Sequence, residues 1–293
     1  MKSTTLRGLC VLSLLSLSVL FWFGHVIMRD RASPRFRRIF GLWGYVRIRL
    51  DSVEQFLDLH YNQCALISSS GQMRGSGLGA DIDQIPCVIR MNDAPTAGYE
   101  VDVGGRTSVR VVSHTSVPRL LKNQHRYFQE AADTVYVFWG PDRNMRMDGK
   151  GVVFNALRGI VSEYPETKLY AMTREKVKLC DQAFQNETGK NRFKSGAYLS
   201  TGFFAMTLAV EMCDHVRVYG MVNADHCRQS NRSAALYHYY ERAAADECLM
   251  YKLHERKRRG GHRFITEKAI YAKWASQHNM EFRHPSWNLG PPP

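Results

Sequence analysis

The sequence predicts an α/β domain built on one central, mostly parallel sheet, and two observations carry that expectation. Short apolar runs rich in β-branched residues recur between segments of helical periodicity, the order that produces a parallel sheet covered by helices. The glycine, proline and serine residues that bound these runs fall at their ends, so that each run reads as a buried strand. In chain order the strands are 65–67, 88–91, 108–112, 134–139 and 168–172, with helices over 120–131 and 153–162 between them. Ser200-Thr201-Gly202 then precedes an apolar helix over 203–213, and 215–222 alternates as a further strand. No repeat, low-complexity tract or second domain boundary interrupts the order.

The amino terminus is of a different kind. Residues 9–28 (LCVLSLLSLSVLFWFGHVIM) form an apolar stretch of the ~20 residues that span a bilayer as a helix. A cleaved signal peptide is the alternative, but no small-x-small site follows the stretch and Phe21, Trp22 and Phe23 are bulky for one. The expected organisation is a cytoplasmic tail over 1–8, a transmembrane signal-anchor over 9–28, a basic luminal stem over 29–61 and one folded domain over 62–293. Arginines 29, 31, 35, 37 and 38 outnumber the cations ahead of the span, which opposes an N-inside topology, although long domains cross largely regardless of charge. Two sequons, at Asn186 and Asn231, and six cysteines beyond the span favour a luminal body in an oxidising compartment.

The formal net charge of +13 calls for an anionic partner. A luminal protein does not meet nucleic acid in bulk, which leaves anionic sugars and sugar nucleotides. Arg256-Lys257-Arg258-Arg259, ahead of His262, reads as a basic loop that steers such a substrate or moves as a lid.

Several motifs compete for the chemistry. Gly75 to Ala80 (GSGLGA) fits the dinucleotide pattern G-x-G-x-x-G/A, with Glu100 and Asp102 some twenty residues on, and would make the chain an NAD-dependent oxidoreductase. Its context is wrong, because the preceding strand ends near Ser68 whereas the fingerprint places its glycines in the strand-to-helix turn itself. Asp81-Ile82-Asp83 has the form of a metal-holding D-x-D, and equally of a solvated helix face; with no His/Cys cluster at zinc spacing either, neither metal nor cofactor is expected. Ser200-Thr201-Gly202 at the start of a buried helix supplies free amides and a helix dipole to an anion, or is an ordinary N-cap. His238 within YHYYE and His262 at the start of HRFITE are each a general base or a structural histidine on spacing alone.

Taken together in order, these segments resemble the four motifs of the animal sialyltransferases. Residues 64–114, opening CALISSSGQM and closing RVVSH, are similar to the large motif, and 195–222 (SGAYLSTGFFAMTLAVEMCDHVRVYGMV) to the small one. YHYYE resembles the third motif, and His262 with Glu267 the very small one. SGQM, FWGP, ETGKNR and HPSW are most similar to the short-stem alpha-N-acetylgalactosaminide alpha-2,6-sialyltransferases, types III and IV. The resemblance implies a Rossmann-like, GT-A-like variant domain in the Golgi membrane, type II, with its catalytic part in the lumen. It implies transfer of Neu5Ac from CMP-Neu5Ac, with inversion and without metal, to GalNAc of Neu5Acα2,3Galβ1,3GalNAc on O-glycans or gangliosides. An inactive, membrane-anchored glycan-binding protein is the alternative from another class.

By position, the resemblance makes His262 the general base, Glu267 its companion and His238 a group near the donor phosphate. Asn92, Ser69, Ser70, Gln72, Ser200, Thr201 and Gly202 become the donor-binding set. Cys64 and Cys213 become a bridge between the large and small motifs, and Cys227 with Cys248, which flank the third motif, a second pair. Two departures stand out: Phe203 replaces the usual Trp, which bears on acceptor packing, and Tyr61 replaces the first cysteine of a C-x-x-C, which removes one disulfide.

Overall fold

A computed structural model describes residues 41–289, apart from 52, 233, 243 and 244. The apolar stretch over 9–28 lies outside the described residues, among which no helix is long and apolar enough to cross a membrane. One sheet of eight strands forms the centre: β1 (Tyr45–Arg47), β2 (Tyr61–Ile67), β3 (Cys87–Met91), β4 (Val109–Ser113), β5 (Val135–Trp139), β6 (Lys168–Met172), β7 (Cys213–Tyr219) and β8 (Met280–His284). Their spatial order is β1-β6-β5-β4-β3-β2-β7-β8. Every pairing is parallel except β1 with β6. The inner strands β3, β4 and β5 are buried at every position, which is why they read as mostly apolar runs rather than alternating ones, broken only by Arg90 in β3 and by Arg110 and Ser113 in β4.

The longer helices are α1 (Val152–Glu163), α2 (Arg174–Thr188), α3 (Thr201–Met212), α4 (Glu247–Arg256) and α5 (Phe264–Gln277). Phe154, Leu157 and Ile160 form the buried stripe of α1 at helical spacing. α2 begins where the Thr173 side chain accepts from the Lys176 N–H and ends at Gly189 in the left-handed region, the two ordinary punctuation marks of a helix. α3 is buried on nearly every side and contacts β2, β3, β4 and β7.

Three expectations change. The helix over 120–131 is two pieces, Val117–Leu121 and a π-helical stretch His125–Glu130, because Pro118 in the first turn starts the helix early and a turn at Lys122 and Asn123 interrupts it. Part of the segment expected to be stem is built into the sheet: β1 pairs with β6, and Tyr45 is fully buried with its hydroxyl on Glu211 Oε2 at 2.7 Å. Lys176 pairs with the same carboxylate, so burial of this strand satisfies a charge pair beneath it. Burial nevertheless pushes Glu211 up to about 7. Phe203, expected to bear on acceptor packing, is a core residue against Phe184, Tyr271 and Trp274.

The glycine-rich and acidic motifs are occupied internally. Gly75 and Gly77 take positive φ and donate their N–H groups to the Asp102 carboxylate at 2.8 and 3.0 Å, which leaves those amides unavailable to a pyrophosphate. Asp83 accepts from the N–H groups of Gly105 and Arg106, so this carboxylate of the D-x-D is committed to a loop.

Disulfides join Cys64 to Cys213 and Cys227 to Cys248, the two pairs expected. Cys87 and Cys180 remain buried thiols, both pushed up to about 12 by burial. The first bridge ties β2 to the start of β7 across 149 residues of sequence. Closing so long a loop restricts the unfolded chain strongly, so Cys64→Ala with Cys213→Ala is expected to lose roughly 3–5 kcal/mol of stability in denaturant titration. An unchanged midpoint would show that the sheet is held without it.

Candidate active site

The carboxyl ends of the parallel strands open onto one cleft of about 480 Å³, a volume typical of small-molecule sites. Ser68, Ser69 and Ser70 follow β2, Asn92 follows β3, His114, Thr115 and Ser116 follow β4, Arg143 follows β5 and Met221 follows β7. The chain reverses its direction of travel across the sheet where β7 returns beside β2, and open α/β sheets bind ligands in such a crevice.

α3 points its amino end into this cleft. Ser200 caps it, accepting from the Phe203 N–H at 3.1 Å, while the N–H groups of Thr201 and Gly202 have no acceptor among the described residues. Two such amides and the helix dipole are the chemistry that can receive an anion. A Cβ on Gly202 would stand 3.2 Å from Ser200 Oγ, which crowds the cap.

Glu267, from α5, holds that cap in place. Its Oε1 accepts from the Ser200 N–H at 2.9 Å and its Oε2 from the Ser200 hydroxyl, while the Tyr271 hydroxyl lies 3.4 Å from Oε2. Glu267 and Ser200 are 1% and 5% exposed. Burial pushes the Glu267 carboxyl up to about 7, against the stabilising hydrogen bonds from Ser200.

His262 reaches the cleft by a separate device. Residues 196–198 and 260–262 run side by side, with Gly260 N–H on Gly196 O at 2.8 Å and Tyr198 N–H on Gly261 O at 2.9 Å. The His262 Nδ1 lies 3.0 Å from the Tyr198 carbonyl, which can only accept. Nδ1 therefore carries the hydrogen and Nε2 keeps its lone pair. Burial lowers the His262 pKa from its ordinary value, so the ring is neutral near neutral pH. His254 stacks on it at 5.4 Å.

The donor set expected from sequence mostly converges. Ser69, Ser70, Asn92, Ser200, Thr201, Gly202, His238, His262 and Glu267 all line the cleft. Asn92 adopts a left-handed φ of 50° and accepts from the Ser113 N–H through Oδ1, which leaves its Nδ2 to donate. His238 is anchored by Glu241 at 2.7 Å and stacks on Tyr240. Gln72 does not join them: its side-chain amide is spent on Glu247 at 3.1 Å, away from the cleft lining. Glu267, expected beside His262, makes its hydrogen bonds to Ser200 instead.

Sequence reasoning missed other lining residues. Arg119 and Arg143 add cationic groups to the cleft, and Lys268 is 5% exposed with its ammonium 3.9 Å from the Tyr251 ring centroid. Trp139 forms part of the wall, donating from Nε1 toward Thr201 Oγ1 at 3.3 Å and packing at a tilt against Phe204. The polar run Ser113 to Ser116, which closes a buried strand, was the available signal for the β4 edge.

Comparison with known proteins places this geometry. The family model for Glycosyltransferase family 29 (sialyltransferase) matches residues 36–279. Alpha-N-acetylgalactosaminide alpha-2,6-sialyltransferase 3 of Mus musculus is 50% identical over 247 residues, 84% of this chain and 80% of that protein. The alpha-N-acetyl-neuraminyl-2,3-beta-galactosyl-1,3-N-acetyl-galactosaminide alpha-2,6-sialyltransferase of Homo sapiens is 52% identical over 224 residues, 76% of this chain and 74% of that one. The crystal structure of a mammalian sialyltransferase in complex with Gal-beta-1-3GalNAc-ortho-nitrophenol shares the fold, with a TM-score of 0.51 at 21% identity over 76% of this chain and 69% of that chain.

A carboxyl raised by burial binds its proton more tightly in the folded state, so it costs stability as pH rises from its unfolded value near 4.5 toward about 7. Glu267→Gln removes that titration. Relative to the variant, the native protein is therefore expected to lose melting temperature progressively over this window; a constant difference across it would show that Glu267 is ionised throughout.

Proposed function

The chain belongs to glycosyltransferase family 29, the sialyltransferases, and we propose that it transfers Neu5Ac from CMP-Neu5Ac to O6 of GalNAc within Neu5Acα2,3Galβ1,3GalNAc. The observation that carries the mechanism is the placement, in one cleft, of a helix amino terminus with two free amides and a histidine whose Nε2 is an acceptor. The acceptor class rests on the relatives, whose names specify sialylated Galβ1,3GalNAc and alpha-N-acetylgalactosaminide substrates with alpha-2,6 product linkage.

Each group has a role in this reading. The Thr201 and Gly202 amides receive the CMP phosphate, with Asn92, Ser69 and Ser70 holding the nucleoside side and His238 near the phosphate. Lys268, Arg119 and Arg143 add positive charge to a cleft that must take two anionic sialic acids, one on the donor and one on the acceptor. His262 Nε2 accepts the proton of the acceptor hydroxyl as its oxygen attacks the anomeric carbon. The bond to the phosphate oxygen breaks with its electron pair leaving on CMP, and one in-line displacement inverts the donor's β linkage to α. Glu267 positions the helix through Ser200 rather than acting on the proton. Protein donors meet the leaving-group charge in this scheme, and no divalent metal enters it.

The proposed setting is the Golgi lumen, behind an anchor at residues 9–28. Two disulfides among the described residues suit an oxidising compartment, and Asn186 and Asn231 are both exposed for glycan attachment.

Three outcomes test the reading. Purified chain is expected to sialylate GalNAc O6 of the α2,3-sialylated disaccharide and to leave bare Galβ1,3GalNAc unmodified; transfer to both alike would remove the second sialic acid from recognition. His262→Ala is expected to lower kcat by about a thousandfold with CMP affinity kept, and activity of the native enzyme to fall on the acid side with a midpoint below the ordinary histidine pKa of 6.5, since protonation silences the base. A variant with native turnover, or an acid limb that survives the substitution, would take the base role from His262. Chelation with EDTA is expected to leave the rate unchanged, and a strict Mn²⁺ requirement would overturn the metal-free scheme.

A further inference from the structure

We propose that a second cavity, behind the Asn92–Pro95 turn, binds a small oxyanion of the phosphate and sulfate class. The cavity holds about 250 Å³ and is lined by Thr107, Arg110, Arg126, Tyr127, Thr134 and Tyr136 among others. No acidic side chain lines it.

The argument begins in the sheet. Arg90 of β3 and Arg110 of β4 are register partners, so two guanidinium groups leave neighbouring strands side by side, 1% and 5% exposed. Buried charges of one sign need a counter-charge. Neither group forms an ion pair with a carboxylate among the described residues. Arg90 donates to the carbonyls of Val103, Gly104 and Arg106 and to the Thr107 hydroxyl, and its Nη1 is buried without a partner. Arg110 donates from Nη1 to the carbonyls of Asn92 and Ala94 at 2.8 and 3.0 Å, and its Nε is buried without a partner. Asp83 is engaged with backbone N–H groups, and Asp93 pairs with Arg119 through Oδ2 while its Oδ1 is buried without a hydrogen-bond partner.

The remaining groups fit an oxyanion. The Thr107 hydroxyl accepts from Arg90 Nε at 3.1 Å, which frees its own hydrogen to donate. Arg126 adds a third cation on an exposed part of the lining. Arg110 stands over the Tyr127 ring at 5.3 Å, which fixes its plane. An anion here would neutralise cations that carbonyl dipoles only partly compensate, on the far side of the turn whose Asn92 faces the donor cleft.

The test is calorimetric titration of inorganic sulfate into the purified full-length chain, at constant ionic strength in chloride and with CMP saturating the donor cleft. One saturable site is expected. Arg126→Ala, at the exposed part of the lining, is expected to weaken it by about 3- to 5-fold, and Arg110→Met by more than about tenfold. Galactose 6-sulfate titrated in place of sulfate separates the sources: binding of the sugar ester assigns the site to a sulfated glycan, and binding of the inorganic ion alone assigns it to a free anion. No saturable heat, or equal affinity in the native chain and both folded variants, overturns the proposal. Loss of CMP binding with the sulfate site and its Arg126 dependence intact would instead count against the donor reading alone.

Discussion

The contact between Glu267 and Ser200 is the constraint on which the rest of the site depends. A carboxylate on the first turn of α5 accepts both the backbone and the hydroxyl hydrogen of the residue that caps α3, and all of it is buried. Ser200 in turn spends its side-chain oxygen on the Phe203 amide, so that only the Thr201 and Gly202 amides remain to face the cleft. His262 stands two residues ahead of the same α5, its ring oriented by the residue two positions ahead of the cap, Tyr198. His262 and the exposed α3 amides are thus two ends of one connected backbone arrangement. A shift in either would move the other, since the paired segments 196–198 and 260–262 join them directly.

The sheet explains why that arrangement lies where it does. All strands but β1 run parallel, so the loops after β2, β3, β4 and β5 emerge at one edge and deliver serines, Asn92 and the β4 hydroxyl run together. The Cys64–Cys213 bridge pins β2 to β7 beside the point where the strand order reverses. α3 packs on β2, β3, β4 and β7, and its nearly complete burial holds its amino end at the cleft.

The parallel strands were legible because burial on both faces writes a plain signal: β3 to β6 appear as apolar runs with punctuation at each end. β1 was not, since its three residues sit in a basic segment and owe their place to a buried pairing with Glu211 far along the chain. β8 was equally hidden, because MEFRH mixes charged and apolar residues as an edge strand does. For the site, ordered motifs picked out His238, His262, Asn92 and the Ser200 turn, which the fold brings to one cleft, but spacing could not say which neighbour each side chain would choose. Gln72 turns to Glu247, and Glu267 turns to Ser200 rather than His262, outcomes decided by tertiary packing. The glycine fingerprint at Gly75, set aside on its context, is spent inside the fold: its amides answer a carboxylate, Asp102, that the motif itself would have assigned to a ribose.

The most direct test of the central claim is a crystal structure of the chain with CMP bound. The account predicts the phosphate within hydrogen-bond distance of the Thr201 and Gly202 amides, with the Ser200–Glu267 bonds intact and His262 Nε2 facing the open side of the cleft. A phosphate held elsewhere, with those two amides left bare, would contradict it.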